Sequence, residues 1–133
     1  VDDSVCAVRS ALQEGILPGG GLALWRLAPD YATVKSTEEI TEDLIADGIL
    51  HAALRAPLKQ IMTNAGLDAD NIMNVQDIVD DTNGFDVKNE KYGDMYKMGV
   101  IDPLKVTKNA LINATSVATT ILSTNAIITH ARA

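Results

Sequence analysis

Aromatic side chains make up only 4% of this sequence: Trp25, Phe85 and three tyrosines. With so few rings, the core is expected to be aliphatic, built on Ala, Ile, Leu and Val. Cysteine occurs once, at Cys6, which excludes an internal disulfide and fits a reducing compartment. Cys6 lies in an apolar helical stretch and is expected as a small buried hydrophobe. The two histidines, His51 and His130, are far apart and have no cysteine cluster beside them, so no zinc-ligand spacing is present and no metal site is expected. No run approaches the roughly 18 apolar residues of a membrane span, and the start does not read as a secretory leader. Basic residues are outnumbered 18 to 11, for a net charge of -7. That balance argues against non-specific nucleic-acid binding and against adhesion to an anionic membrane.

What is present is ordinary globular composition, 47% apolar and 22% charged over 133 residues, enough for one domain at most. The chain opens on Val-Asp-Asp as if in mid-helix and is expected to be a piece of a longer one. Val1, Val5, Val8 and Leu12 recur at helical spacing, and Gly15 ends that helix. Leu22 to Ala28 reads as a second helix, broken by Pro29-Asp30. Ser36-Thr37-Glu38-Glu39 resembles a helix start, and a stripe through Ile40, Leu44, Ile45, Ile49, Ala52 and Ala53 follows. Pro57 predicts a kink or break near Ala56. The pattern resumes through Leu58, Ile61 and Met62 to a stop at Ala65-Gly66. Asp68 or Asp70 then caps a short helix holding Ile72, Met73, Val75, Ile78 and Val79.

Residues 80–94 change character. Asp80 to Gly84 is turn chemistry, and Phe85, Val87 and Tyr92 among polar residues predict a short hairpin. Asp102-Pro103 reads as a helix start, with aspartate at the N-cap and proline at the first helical position. Leu104, Leu111, Ala114, Ala118 and Ile121 carry that helix, and Ala126-Ile127-Ile128-Thr129 is a candidate terminal strand. The expected fold is mostly α, with about five helices and one small hairpin that needs helices beneath it.

Pro18-Gly19-Gly20-Gly21 is the feature that composition does not explain. Three glycines together give up much backbone entropy on folding. Either the chain is crowded there, or a ligand approaches the main chain as the next helix opens. The spacings G-x-x-x-x-G-K-[ST] and G-x-G-x-x-G are both missing, so the glycines alone do not decide. Asp2-Asp3 suits a helix start by its dipole, or an aspartate that orients an attacking water. Asp102 suits an N-cap, or a carboxylate that holds ribose hydroxyls. Asp86 is most simply a polar residue flanking a turn.

A resemblance weights these alternatives. Val1-Asp2-Asp3, Arg9, Glu14-Gly15 and Pro18 to Leu24 resemble the group I chaperonins, the sixty-kilodalton heat-shock chaperonin family. So do Ala56 to Ile61 and Asn64-Ala65-Gly66. The densest similarity is Tyr92-Gly93-Asp94-Met95, then Met98 to Leu111, then Ala114 and Ser116-Val117-Ala118. These blocks follow the family's order along nearly the whole chain.

The resemblance implies that residues 1–14 are the end of an intermediate-domain helix and residues 15–133 the C-terminal half of an equatorial, ATP-binding domain. It implies ATP or ADP as ligand. Gly19, Gly20 and Gly21 would admit the nucleotide to the backbone, Asp102 would hold the ribose, Asp86 and Val87 would touch adenine, and Val100 would give an apolar contact to the base. Asp3 would activate the hydrolytic water. The pattern departs at Asp86-Val87-Lys88, where the family usually has asparagine and small residues; main-chain contacts to adenine are the ones that survive. The parent would be an ATP-driven folding chaperone of bacterial-type cytoplasm or an organelle matrix, built as a heptameric ring. It would engage unfolded polypeptide and a co-chaperonin through other domains, with its Mg²⁺ and K⁺ ligands mostly outside this chain. The 133 residues alone are expected not to be a competent ATPase, and to self-associate or be marginally stable through uncovered helix faces. The competing reading is a non-enzymatic helical scaffold with purely structural glycines. Joint placement of Gly20, Asp86, Val87 and Asp102 separates the two.

Overall fold

The computed structural model describes residues 1–28, 40–74, 80–126, 128 and 129. The expected break at Pro29-Asp30, the helix start at Ser36 to Glu39, and Val75, Ile78, Val79, Ile127 and His130 lie outside them. The described chain forms α1 (Asp2–Glu14), β1 (Ile16–Pro18), α2 (Leu22–Leu27), α3 (Glu42–Asn64), α4 (Ala69–Met73), β2 (Asn83–Asp86), β3 (Lys91–Asp94), β4 (Ile101–Pro103) and α5 (Leu104–Leu122). It divides into two compact units, Val1–Gly15 with Pro103–Ala133, and Ile16–Asp102.

The first unit pairs α1 with α5. Asp2 and Asp3 sit in the first turn of α1, where the helix dipole favours negative charge. Gly15 ends the helix at φ +95°, a conformation suited to glycine, and its N–H donates to the Ala11 carbonyl at 2.8 Å. The Leu104 N–H donates to the Gly15 carbonyl at 3.0 Å, and the Lys105 Nζ donates to Gln13 Oε1 at 2.7 Å. Lys108 pairs with Glu14 across the same end. Along α5 and just past its end, the hydroxyls of Thr115, Thr119, Thr120, Ser123 and Thr124 each donate to the carbonyl four residues back.

Two expectations are corrected here. The half-buried residues of α1 are Ala7, Ser10 and Ala11, while Val1, Val5, Val8 and Leu12 are all exposed. A helical period shows that an apolar face exists but not which face meets the neighbour, and small side chains permit the closer approach. Cys6 is accordingly exposed rather than buried. Asp102 does not cap α5: it lies in β4, and Pro103 takes the N-cap position without a side-chain cap. The three-residue pairing with β1 takes Asp102 into extended backbone and starts the helix one residue later.

The second unit has its own core of Leu22, Trp25, Leu58, Met62, Ala69, Met73 and Met95, with Leu67, Ile72, Phe85, Val87, Met98 and Val100 packed against it. This corrects the expected Ala/Ile/Leu/Val core. All four methionines take part, because an unbranched thioether fills the irregular gaps between short elements. Many of the β-branched residues remain exposed on helices, among them Ile45, Ile49, Val106 and Val117.

α3 opens on Thr41, whose hydroxyl accepts from the Leu44 N–H at 3.2 Å. It runs unbroken past Pro57, against the expected break. Proline in a helix interior costs about 3 kcal/mol. Leu54, Leu58 and Met62, spaced four apart and buried on one face on both sides of Pro57, hold the helix through it. Asp68 caps α4, as expected, by accepting from the Asp70 N–H at 3.0 Å.

The hairpin forms within residues 80–94 as expected, but Asn83 and Gly84, read as turn, open β2, and Val87, read as strand, lies in the turn between the strands. β2 and β3 run antiparallel with Phe85 opposite Tyr92 and Asp86 opposite Lys91. The Phe85 and Tyr92 rings meet edge-on at 4.8 Å, and the Tyr92 hydroxyl donates to the Ile72 carbonyl at 3.2 Å. Arg26 anchors the hairpin's base by donating to the Asp80 carbonyl at 2.8 Å and the Asn83 carbonyl at 3.2 Å. The short strands β1 and β4, which periodicity did not suggest, pair with each other. Ala126, Ile128 and Thr129 are not in a strand.

Candidate functional site

The glycine turn joins β1 to α2. Gly20 (φ +69°) and Gly21 (φ +80°) are both left-handed, which side chains resist. Each glycine is crowded by something different. A Cβ on Gly19 would lie 3.0 Å from the Ile101 nitrogen and 3.0 Å from the Val100 carbonyl carbon; its N–H donates to the Val100 carbonyl at 2.8 Å. A Cβ on Gly21 would lie 2.9 Å from the Leu58 nitrogen. Both positions are therefore pressed against the protein's own main chain. Gly20 instead faces side-chain ends: a Cβ there would lie 3.2 Å from Met95 Cε and 3.8 Å from Val100 Cγ1.

Met95, only 1% exposed, joins the pieces of the site. It abuts Gly20, and its carbonyl accepts from the Val100 N–H at 2.9 Å. It also meets the hairpin, since a Cβ on Gly84 would lie 3.1 Å from Met95 Sδ and 3.1 Å from Leu22 Cδ2. The glycine turn and the hairpin thus meet on the Met95 side chain, and the lead-in to β4 on its carbonyl. Nothing in the sequence pattern marked Met95 for this, because the convergence is tertiary.

Asp86 closes β2. Its Oδ1 accepts from the Lys88 N–H at 3.0 Å and the Asn89 N–H at 3.4 Å, and its Oδ2 accepts from Asn89 Nδ2 at 2.6 Å. The Asn89 amide, chiefly, and the two backbone donors hold its carboxyl below the usual carboxylate value. Val87 and Val100 are half-buried against the same core. Asp102, two residues beyond Val100 on β4, is half-buried, and desolvation pushes its carboxyl up. Gly19, Gly20, Gly21, Asp86, Val87, Val100 and Asp102 all belong to the second unit; Asp3 is exposed in the first. Among the described residues, no three His, Cys, Asp or Glu side chains are grouped to hold a metal ion, and no helix is long and apolar enough to cross a membrane.

The fold is mostly helical, its glycine turn, hairpin and short β-pair meeting at one buried methionine, and by comparison with known proteins it matches a chaperonin equatorial-domain fragment. The whole chain gives the family: residues 1–132 match the TCP-1/cpn60 chaperonin family, and the chain belongs to it. Among solved structures it is similar to a group III chaperonin in the open state, at 28% identity and a TM-score of 0.73, over 90% of this chain. The chain spans 25% of the length of that relative.

Proposed function

We propose that this chain is the C-terminal half of the equatorial domain of a group I chaperonin, preceded at residues 1–14 by the end of an intermediate-domain helix, and that it supplies one wall of an ATP site. The observation that carries this reading is the meeting of Gly20, Gly84 and Val100 on Met95. The group I assignment rests on the sequence run from Met98 to Leu111. Packing accounts for Gly19 and Gly21, so Gly20 is the glycine whose freedom serves a ligand. Val87 and Val100 offer apolar contact to a base. Asp102, half-buried and two residues from Val100, accepts hydrogen bonds from ribose hydroxyls, and Asp3 orients the attacking water.

Phosphate, Mg²⁺ and K⁺ ligands belong to other parts of the parent protein, where the metal neutralises phosphoryl charge. The parent, an oligomeric ring of the cytoplasm or an organelle matrix, uses hydrolysis to drive folding of a bound polypeptide with a co-chaperonin. In the whole protein, Asp102→Ala is expected to weaken ATP binding about tenfold, the scale of one lost charge-assisted hydrogen bond. Asp3→Ala is expected to leave binding intact and remove hydrolysis. Unchanged ATP affinity in Asp102→Ala, or magnesium-dependent turnover by the 133 residues alone, overturns the reading.

A further inference from the structure

Gly84 and Gly93 stand opposite each other in the β2–β3 pair. Residues directly opposite in an antiparallel pair present their side-chain positions to one face. Neither has a side chain here, and a methionine sulfur covers each. A Cβ on Gly84 would lie 3.1 Å from Met95 Sδ, and one on Gly93 would lie 3.3 Å from Met98 Sδ. The two thioethers differ in access. Met62, Met73 and Met95 are buried, whereas Met98 is half-buried, the one methionine of the four that a small solute can reach. Met98 also lies inside a closed turn. Its N–H donates to the Asp94 carbonyl at 3.0 Å, the Val100 N–H donates to the Met95 carbonyl at 2.9 Å, and the Gly19 N–H donates to the Val100 carbonyl at 2.8 Å. The contact of Met98 with Gly93 therefore stands in series with Val100 and the glycine turn.

We propose that Met98 is an oxidation site for hydroperoxides, whose sulfoxide leaves the hairpin face and loosens the 95–100 turn from the glycine turn. A lone pair of Met98 Sδ attacks one oxygen of hydrogen peroxide, an S–O bond forms and the O–O bond breaks. Sulfur is oxidised by two electrons, and the departing hydroxide takes the proton of the attacked oxygen to leave as water. The product carries a strong acceptor where a thioether had met strand main chain and apolar core. Held there without a donor, that oxygen is costly, so the side chain turns to water and Gly93 loses its cover. None of this depends on a bound nucleotide.

The test treats the 133-residue chain with millimolar hydrogen peroxide, carrying Cys6→Ser to remove the exposed thiol. Peptide mass spectrometry gives the order of sulfoxide formation, and amide hydrogen exchange at Val100 and Gly19 reads the turn. Met98 is expected to oxidise at least about fivefold faster than Met62, Met73 or Met95. Exchange at Val100 and Gly19 is expected to quicken about tenfold once it has done so. Methionine sulfoxide reductases are expected to restore the slow exchange. Met98→Leu, which keeps the volume without the sulfur, is expected to hold its own exchange rates through the same treatment. The inference is overturned by a buried methionine oxidising as fast as Met98, or by exchange that the Met98 sulfoxide leaves unmoved. It is equally overturned by exchange that reduction does not restore, or by a Met98→Leu chain that loosens in peroxide as its parent does.

Discussion

Gly21 touches the main chain of Leu58: a Cβ added at Gly21 would stand 2.9 Å from the Leu58 nitrogen and 3.0 Å from its Cα. The contact joins the start of α2 to α3 at the residue after Pro57. Backbone cannot yield as a side-chain end can. Gly21→Ala is expected to lower unfolding stability by roughly 2–4 kcal/mol, from left-handed strain and steric displacement together. Gly66 separates the two terms, because it has a similar φ of +77° with nothing within 4 Å of an added Cβ. Gly66→Ala should therefore lose only about 1 kcal/mol. Urea denaturation of both variants checks the contrast; equal losses would show that sterics at Leu58 contribute nothing.

Arg55 stacks over Trp25 with its guanidinium carbon 4.3 Å from the ring, yet its Nε is buried without a hydrogen-bond partner. Stacking contributes about 0.5–1 kcal/mol, whereas an unpaired buried donor costs about 1–3 kcal/mol. Arg55→Met keeps the apolar stem and removes both terms. It is expected to leave stability unchanged or raise it by about 1 kcal/mol. Trp25 is the chain's only tryptophan, so its fluorescence follows the melt directly. A clear loss of stability would mean that the cation–π contact outweighs the orphan donor.

The two carboxylates of the candidate site respond to pH with opposite sign. Asp86 is held below its ordinary value of 3.8, so its stabilisation is complete above that value and disappears as pH falls through the lower folded value. Asp102 is pushed above 3.8, so its ionised form opposes folding at neutral pH, and that opposition is relieved as pH falls through the raised folded value. Asp102→Asn is accordingly expected to raise the Tm at pH 7, and Asp86→Asn to lower it. The Asp102→Asn difference should fade as pH falls from the raised folded value to 3.8, and the Asp86→Asn difference only below 3.8, read from melts across pH 3–7.

Val5, Val8 and Leu12 are 61%, 60% and 83% exposed along one side of α1. A contiguous apolar stripe of this kind promotes association. Light scattering of the 133-residue chain is expected to show concentration-dependent self-association, and the double variant Val5→Glu, Val8→Lys to reduce it. A monomer at all concentrations in both proteins would assign the stripe no role in association.

Much of the fold was legible because its signals are local. The 3.6-residue period marked α1 and α5, the Asp68 cap marked α4, and Phe85 and Tyr92 marked the hairpin. What escaped is set by distant neighbours. β1 and β4 are three residues each, too short for an alternation to register. Pro57 was read by its local effect, but packing of Leu54, Leu58 and Met62 overrides it. The face of α1 that meets α5 is the one with small residues, and no spacing rule ranks two faces. The family was legible as blocks of residues in its order, over residues 1–132. The packing of the glycine turn around Met95 was not, nor was what crowds each glycine, since both depend on which backbone arrives from elsewhere.

The hydroxyls of α5 alter what that helix is to anything beside it. Thr115, Thr119, Thr120, Ser123 and Thr124 have each given their proton to the turn behind them. A hydroxyl engaged in this way needs no further partner for its hydrogen. Counted by composition, this stretch is polar; counted by unmet donors, these five positions are no more demanding than alanine. An apolar neighbour laid over these five hydroxyls would strand none of their hydrogens.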